Sequence, residues 1–256
     1  MEVHAHSHTP RKKWTHYFWE FLMLFLAVFC GFLAENIREH RVEHLRAKEF
    51  AKSLVKDLQN DISSLNAHQK KSDTYIVIAD SLLECSKRKL EGRNAAEFSF
   101  YTRFMYWTEP VSWNRATFEQ IKNSGGLRYF KNSLLLGKLM RYEALINQNE
   151  GEFNNHQTRG NMLLKLINEI IDPAYHHDLS KYRLMSLDTM SRDSKEQYFS
   201  ARIEIPESKK ETIREMLNMA IVQQRNLRFN IDIRLVPARE LASELITDLK
   251  KEYHLE

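Results

Sequence analysis

The sequence predicts an all-α protein: an N-terminal transmembrane helix that continues into a long helix, with an extramembrane helical bundle beyond it. Three observations carry that expectation. Phe21 to Ala34 is an unbroken run without a charged residue. Only 7 Gly and 5 Pro occur in 256 residues, while Leu, Lys, Glu, Asn and Arg abound, a balance that favours helix over sheet. From Trp14 to Leu90 there is no proline, and Gly31 is the one glycine. The expected organisation is a tail over 1–13, a transmembrane helix over 14–36 and a helical-bundle domain over 37–256.

The tail holds His4, His6 and His8, which alternate to one side of an extended chain. Three histidines without a carboxylate or cysteine partner make a loose metal site at best, and a solvated polar tail is the plainer reading. No metal site and no cofactor is expected.

Phe21 to Ala34 alone is short for a bilayer, which needs roughly 20 apolar residues. Trp14, Tyr17, Phe18 and Trp19 extend it upstream, interrupted by His16 and Glu20. Trp14 to Ala34 makes roughly 31 Å of helix at about 1.5 Å per residue, which matches the hydrocarbon thickness. Arg11, Lys12 and Lys13 precede it, an aromatic belt marks its entry, and Glu35, Asn36 and Arg38 follow. The residues expected to form the anchor are Trp14, Trp19, Glu20, Phe21, Leu24, Phe25, Val28 and Phe32. A cleaved signal peptide would begin similarly, but Gly31-Phe-Leu-Ala-Glu-Asn36 lacks a good small-x-small cleavage site. An interfacial helix would show a polar face, and none is visible after Phe21. Lys/Arg counts on the two sides are near balance; the uncompensated basic cluster at the start favours a cytoplasmic N-terminus and a periplasmic C-terminal domain at the inner membrane. Glu20 is an acid at or within the membrane edge, and such groups often mark ion or proton paths.

Beyond the span, Glu35/Arg38, Glu43/Arg46 and Glu49/Lys52 are spaced three apart, side by side on a helix. A packing seam then begins. Ala51, Val55, Leu58, Ile62 and Leu65 recur at four, three, four and three, and the register runs through Gln69 and Ser72 to Ile76, Ala79, Leu83, Ser86 and Leu90. A sustained period of 3.5 marks a helix packed lengthwise on another. The seam residues expected to matter most are Val55, Leu58, Ile62, Leu65, Ile76 and Leu83. Asn66 to Thr74 is polar enough to form a turn instead, but the preserved register favours continuity.

Glu91-Gly-Arg-Asn94 reads as a loop. Phe98, Phe100, Tyr101, Phe104, Tyr106, Trp107, Trp113 and Phe118 follow densely, either capping the core of a bundle with short helices or lining a ligand pocket. Thr117-Phe-Glu-Gln120 has the form of a capping box, and Gly125-Gly126 supplies a helix stop. A helix should start near Asn132 and run to Ile171, ending at Asp172-Pro173. His176, His177 and Asp178 are metal-ligating types, but adjacent histidines point different ways on most backbones. Ser208-Lys-Lys-Glu211 is a second capping box. Leu227 to Leu235 alternates as a strand would, as does Phe199 to Ile205, and helix and strand are evenly matched there. A last helix carries Leu241, Leu245 and Leu249.

Charged residues make up 28% of the chain, yet the net charge is only +4 and no basic block exceeds Arg11-Lys12-Lys13, so nucleic acid is not an expected partner. Cys30 and Cys85 supply no disulfide framework. The chain has no phosphate-binding glycine loop, no Gly-x-Ser-x-Gly elbow, no His-Glu-x-x-His and no Cys-x-x-Cys.

Two stretches carry a resemblance. His4-Ala-His-Ser-His-Thr-Pro-Arg-Lys-Lys-Trp-Thr-His-Tyr-Phe-Trp-Glu-Phe with Ala34-Glu-Asn-Ile-Arg-Glu-His resembles the opening of a family of uncharacterised single-pass membrane proteins of Gram-negative bacteria. Arg115-Ala-Thr-Phe-Glu-Gln-Ile-Lys-Asn-Ser-Gly-Gly-Leu-Arg-Tyr-Phe-Lys-Asn is similar to an internal motif of that family. The resemblance covers less than a quarter of the chain and implies an anchor with a helical domain, without an activity. The expectation is a non-enzymatic membrane-anchored protein that senses, scaffolds or assembles, with the lipid membrane and a second copy or other membrane proteins as partners. The alternative is a subunit of an oligomeric ion- or proton-conducting complex built on Glu20.

Overall fold

A computed structural model describes residues 13–184 and 186–256. The protein is all-α, with 82% of it helical; among the described residues the only β pairing is an isolated antiparallel bridge between Glu91 and Glu204. Helix α1 spans Trp14–Ser86. It is unbroken through Asn66–Thr74 because polar side chains there bond within the helix rather than against it: Ser72 Oγ donates to the His68 carbonyl at 3.1 Å and Thr74 Oγ1 to the Lys70 carbonyl at 3.0 Å.

Two compact units divide the chain, residues 1–50 and 51–256. In the first, the described residues are helical from Trp14 on, and most of their side chains are exposed. The second holds α1 from Ala51 onward with α2 (Gly92–Thr102), α3 (Ala116–Asn123), α4 (Ser133–Ile170), α5 (Pro173–Leu179), α6 (Ser186–Thr189), α7 (Arg192–Phe199), α8 (Lys210–Asn230) and α9 (Val236–Tyr253). Its core is aliphatic along α1, α4, α8 and α9 and aromatic around α2, where Phe98, Phe100, Phe104 and Met105 are buried. The Phe100 ring meets Phe104 and Phe199 edge-on at 5.6 and 5.2 Å, a geometry that suits the ring quadrupoles.

Local signals fix several helix ends. Asn132 caps α4, its Oδ1 accepting from the backbone N–H of Leu134 and Leu135. Asp172-Pro173 ends α4 and also starts α5: Asp172 Oδ1 accepts from Ala174 and Tyr175 N–H, and Pro173 occupies the first turn. Gly125 takes the left-handed conformation, φ 69°, after α3.

Both expected capping boxes are corrected. Helix α3 starts one residue before Thr117, which is buried inside it, and Arg115 stands at the cap without a side-chain capping bond. A short 3₁₀ turn, Glu207–Lys209, precedes α8, so Ser208 does not cap it.

The alternating stretch Leu227–Leu235 is helix, closing in a π turn over Ile231–Leu235. That wide turn lies just ahead of Pro237, whose ring lacks an N–H and crowds the carbonyl four residues back. The buried face of α8 is Ile213, Met216, Ala220, Gln223, Gln224 and Leu227, whereas Ile221 is exposed. Gln224 and Arg228 make that packing specific. Gln224 Nε2 donates to the Ile76 carbonyl at 3.0 Å and to Asp80 Oδ1 at 2.7 Å, and Arg228 Nη2 to Asp80 Oδ2 at 3.1 Å.

Candidate functional site

The residues expected to anchor the protein are all exposed. Trp14 is 80% accessible, and Trp19, Phe21, Leu24, Phe25, Val28 and Phe32 are likewise open. An 18-residue window in this helix reaches a mean hydropathy of 2.0, and none of it is buried. By length and composition this helix could cross a membrane. Within the stretch, Phe21, Phe25 and Phe29 stack on one another at 6.2 and 5.9 Å. Glu20 Oε1 lies 3.0 Å from His16 Nε2, one helical turn earlier.

In the second unit, one line of α1 positions is buried throughout: Ala51, Leu54, Leu58, Asp61, Leu65, His68, Ser72, Tyr75, Ala79 and Leu82, each at most 7% exposed, with Ile78 and Cys85 buried as well. The spacing is again three and four in turn. Leu58 and Leu65 lie on this line; Val55 and Ile76 are buried at its flank, and Ile62 and Leu83 are only half-buried. Alternate positions thus fall one residue earlier than the aliphatic pattern suggests, because Asp61, His68 and Tyr75 occupy them.

Each of these polar residues has a built environment. Asp61 is 1% exposed. Its Oδ1 accepts from the Asn114 backbone N–H at 2.7 Å and from Asn114 Nδ2 at 2.9 Å, and its Oδ2 from the Tyr142 hydroxyl at 2.9 Å. Burial pushes its carboxyl above the ordinary value, against the pull of these three donors. Tyr75 donates its hydroxyl to the Met105 carbonyl at 3.0 Å. These bonds tie the irregular strand of chain between α2 and α3 to α1 and α4, satisfying polar groups that would otherwise be costly to bury.

His68 and His156 flank the Trp107 ring, with centroid distances of 5.9 and 5.8 Å. Burial holds both imidazoles down to about 4, so both are neutral at neutral pH. Arg159, one turn along α4 from His156, donates to Gln223 Oε1 at 2.7 Å and to Glu152 Oε1 at 2.8 Å. A cavity of about 30 Å³ lies among His68, Asn149 and His156. The chain between α2 and α3 reaches α4 closely because residue 160 is glycine: a Cβ there would stand 2.5 Å from Thr108 Cγ2 and 3.0 Å from the Tyr106 carbonyl oxygen.

A larger cleft, about 670 Å³ in volume, is bordered by Trp107. Lys71 of α1, Arg103, Phe104, residues 106–109, Ser180 and residues 182–184 form its walls. The aromatic segment divides between core and surface: Phe98 and Phe100 are buried in the core, and Phe104, Tyr106 and Trp107 border the cleft.

The remaining metal-ligating types do not converge. His176 is half-buried, while His177 and Asp178 are exposed on the short helix α5. Among the described residues no group of three or more His, Cys, Asp or Glu is placed to hold a metal ion. His4, His6 and His8 lie outside the described residues. No protein-family model, curated protein or solved structure matches the chain.

Proposed function

We propose that the chain is a membrane-anchored, non-enzymatic helical protein of the bacterial inner membrane, with a sensing, scaffolding or assembly role carried by the unit 51–256. The observation that supports this reading is the exposed apolar face of the first unit, beside a second unit that folds around a core of its own. A ligand-sized cleft in that second unit favours sensing within the three roles. In this reading the span runs over 14–36, the N-terminus is cytoplasmic, the bundle is periplasmic, and a second copy or another membrane protein is the partner. The resemblance of the opening residues to single-pass membrane proteins of Gram-negative bacteria points the same way. An engineered cysteine at Lys251 tests the orientation: a membrane-impermeant maleimide is expected to label it in intact spheroplasts. Labelling only after lysis would reverse the topology.

The pairing of Glu20 with His16 within the apolar stretch favours a second reading, a conducting subunit. Glu20→Gln decides it. Unchanged assembly size in detergent and unchanged proton leak in liposomes would leave the helix as an anchor only.

A further inference from the structure

We propose that the cleft beside Trp107 is a binding site for a small organic anion with a planar apolar body, such as an aryl phosphate or aryl carboxylate. This deepens the sensing role proposed above, but its test does not depend on the anchor, so the two can fail separately.

The volume comes first. About 670 Å³ falls within the range of roughly 300–1,000 Å³ that small-molecule sites occupy. Charge comes second. Lys71, Arg103 and Arg183 line the cleft against one acid, Glu109. Glu109 is already paired with Lys71, so it neutralises that cation alone. Among the described residues, Arg103 and Arg183 have no carboxylate partner, and the cleft keeps a positive excess.

Preorganisation comes third. The Arg103 guanidinium lies over the Tyr106 ring, 5.0 Å from its centroid, and over Phe104 at 5.8 Å. Its Nη1 donates to the Tyr106 hydroxyl at 2.6 Å, while its Nε is buried without a hydrogen-bond partner. A guanidinium held by rings rather than by a carboxylate keeps its charge, and its remaining Nη donors, for another anion. Its field already acts nearby: after burial, Arg103 is the second cause that lowers the His176 imidazole.

The body of the ligand follows from the rest of the lining. Phe104, Tyr106, Trp107 and Tyr182 all line the cleft, a set of rings suited to contact with a planar ligand body. Inorganic phosphate alone would use the cations and leave that surface wet.

The test is calorimetric titration of the full chain in neutral detergent with phenyl phosphate, inorganic phosphate and phenol. Phenyl phosphate is expected to bind saturably and at least tenfold more tightly than either of the others, since each lacks half of the recognition. Arg183 is exposed, and Arg183→Gln is not expected to disturb folding; it should weaken phenyl phosphate at least tenfold, the scale of one charge-assisted hydrogen bond. Arg103→Gln should weaken it similarly, and Arg225→Gln, away from the cleft, should leave it unchanged. Absence of saturable binding would overturn the proposal. So would equal affinity for phenyl phosphate and phenol, or binding insensitive to Arg183→Gln. If Arg103→Gln fails to fold, Arg183→Gln alone decides.

Discussion

Tyr142→Phe removes one hydroxyl from a buried place where its partner is charged. The hydroxyl donates to Asp61 Oδ2 at 2.9 Å, and the two Asn114 donors both serve Oδ1. Phenylalanine fills the same ring space, so Oδ2 loses its donor and little else changes. A hydrogen bond to a charged group contributes about 1.5–3 kcal/mol. For a unit of this size each kcal/mol shifts Tm by about 2–4 °C, so the variant should melt roughly 3–12 °C lower at neutral pH. The loss should also depend on pH. The folded-state Asp61 carboxyl is raised, by burial first and by the nearby Asp57 charge. Between its unfolded and folded values the folded protein holds the extra proton, so this group's contribution to stability falls as pH rises through that window. Below the window Asp61 is neutral, the bond is an ordinary one of about 0.5–1.5 kcal/mol, and the cost of Tyr142→Phe should shrink accordingly. Near-ultraviolet circular dichroism melts of variant and parent, compared at each pH, cancel the contribution of other titrating groups. An Asp61→Asn background should reduce the effect to about 1 kcal/mol or less. A variant that melts with the parent, or one whose loss is the same at acid and neutral pH, would refute the reasoning.

Three further outcomes follow from the same geometry. Gly151 and Gly160 both sit inside α4, but only Gly160 has a neighbour within 4 Å of an added Cβ. Gly151→Ala should therefore stabilise by about 0.5–1 kcal/mol, whereas Gly160→Ala should destabilise, because overpacking of about 1–3 kcal/mol exceeds the helix gain of about 1; equal denaturation midpoints would contradict this. His68 and His156 are held down to about 4, so the unfolded chain binds more protons between that value and its own near 6.5. Stability should fall as pH drops from about 6.5 towards 4, by on the order of 3 kcal/mol per histidine, and His156→Gln should flatten the slope in a pH series of urea titrations. On α1, Leu82→Asp and Leu58→Asp should cost about 3–5 kcal/mol as unpaired buried charges, while Leu83→Asp, at a half-buried position, should cost much less. Equal losses at residues 82 and 83 would mean that the packing line is misplaced.

The helical fold was legible because composition, absent prolines and apolar spacing agree over long stretches. The continuity of α1 through Asn66–Thr74 could be argued from register alone. The pattern set every second position one residue late: Val55 and Ile76 are still buried at the flank of the packing line, while Ile62 and Leu83 are only half-buried. An aliphatic count selects Val55, Ile62 and Leu83, whereas packing selects Leu54, Asp61, His68, Tyr75 and Leu82. Polar residues reach the core when a distant segment brings partners to them. Asn114 and Tyr142 lie 53 and 81 residues from Asp61, a separation no local spacing reports. The same limit hid the role of Gln224, whose partners Asp80 and the Ile76 carbonyl lie 144 and 148 residues away. It also explains the spurious alternation over Leu227–Leu235, since polar residues on α8 answer to contacts across the bundle. The aromatic segment was visible, but its division into a core cap and a cleft wall depends on how closely residue 160 lets it approach α4.

The reading of residues 14–36 as a retained anchor rather than a removed leader is tested most directly by intact mass. The chain, produced from Met1 in a Gram-negative host, would be followed through fractionation, and the membranes washed at alkaline pH to strip peripheral proteins. The expected result is a single species at the full 30.5 kDa, retained in the washed membranes and released by detergent. A shorter chain that begins beyond the apolar stretch and leaves with the soluble fraction would contradict membrane anchoring.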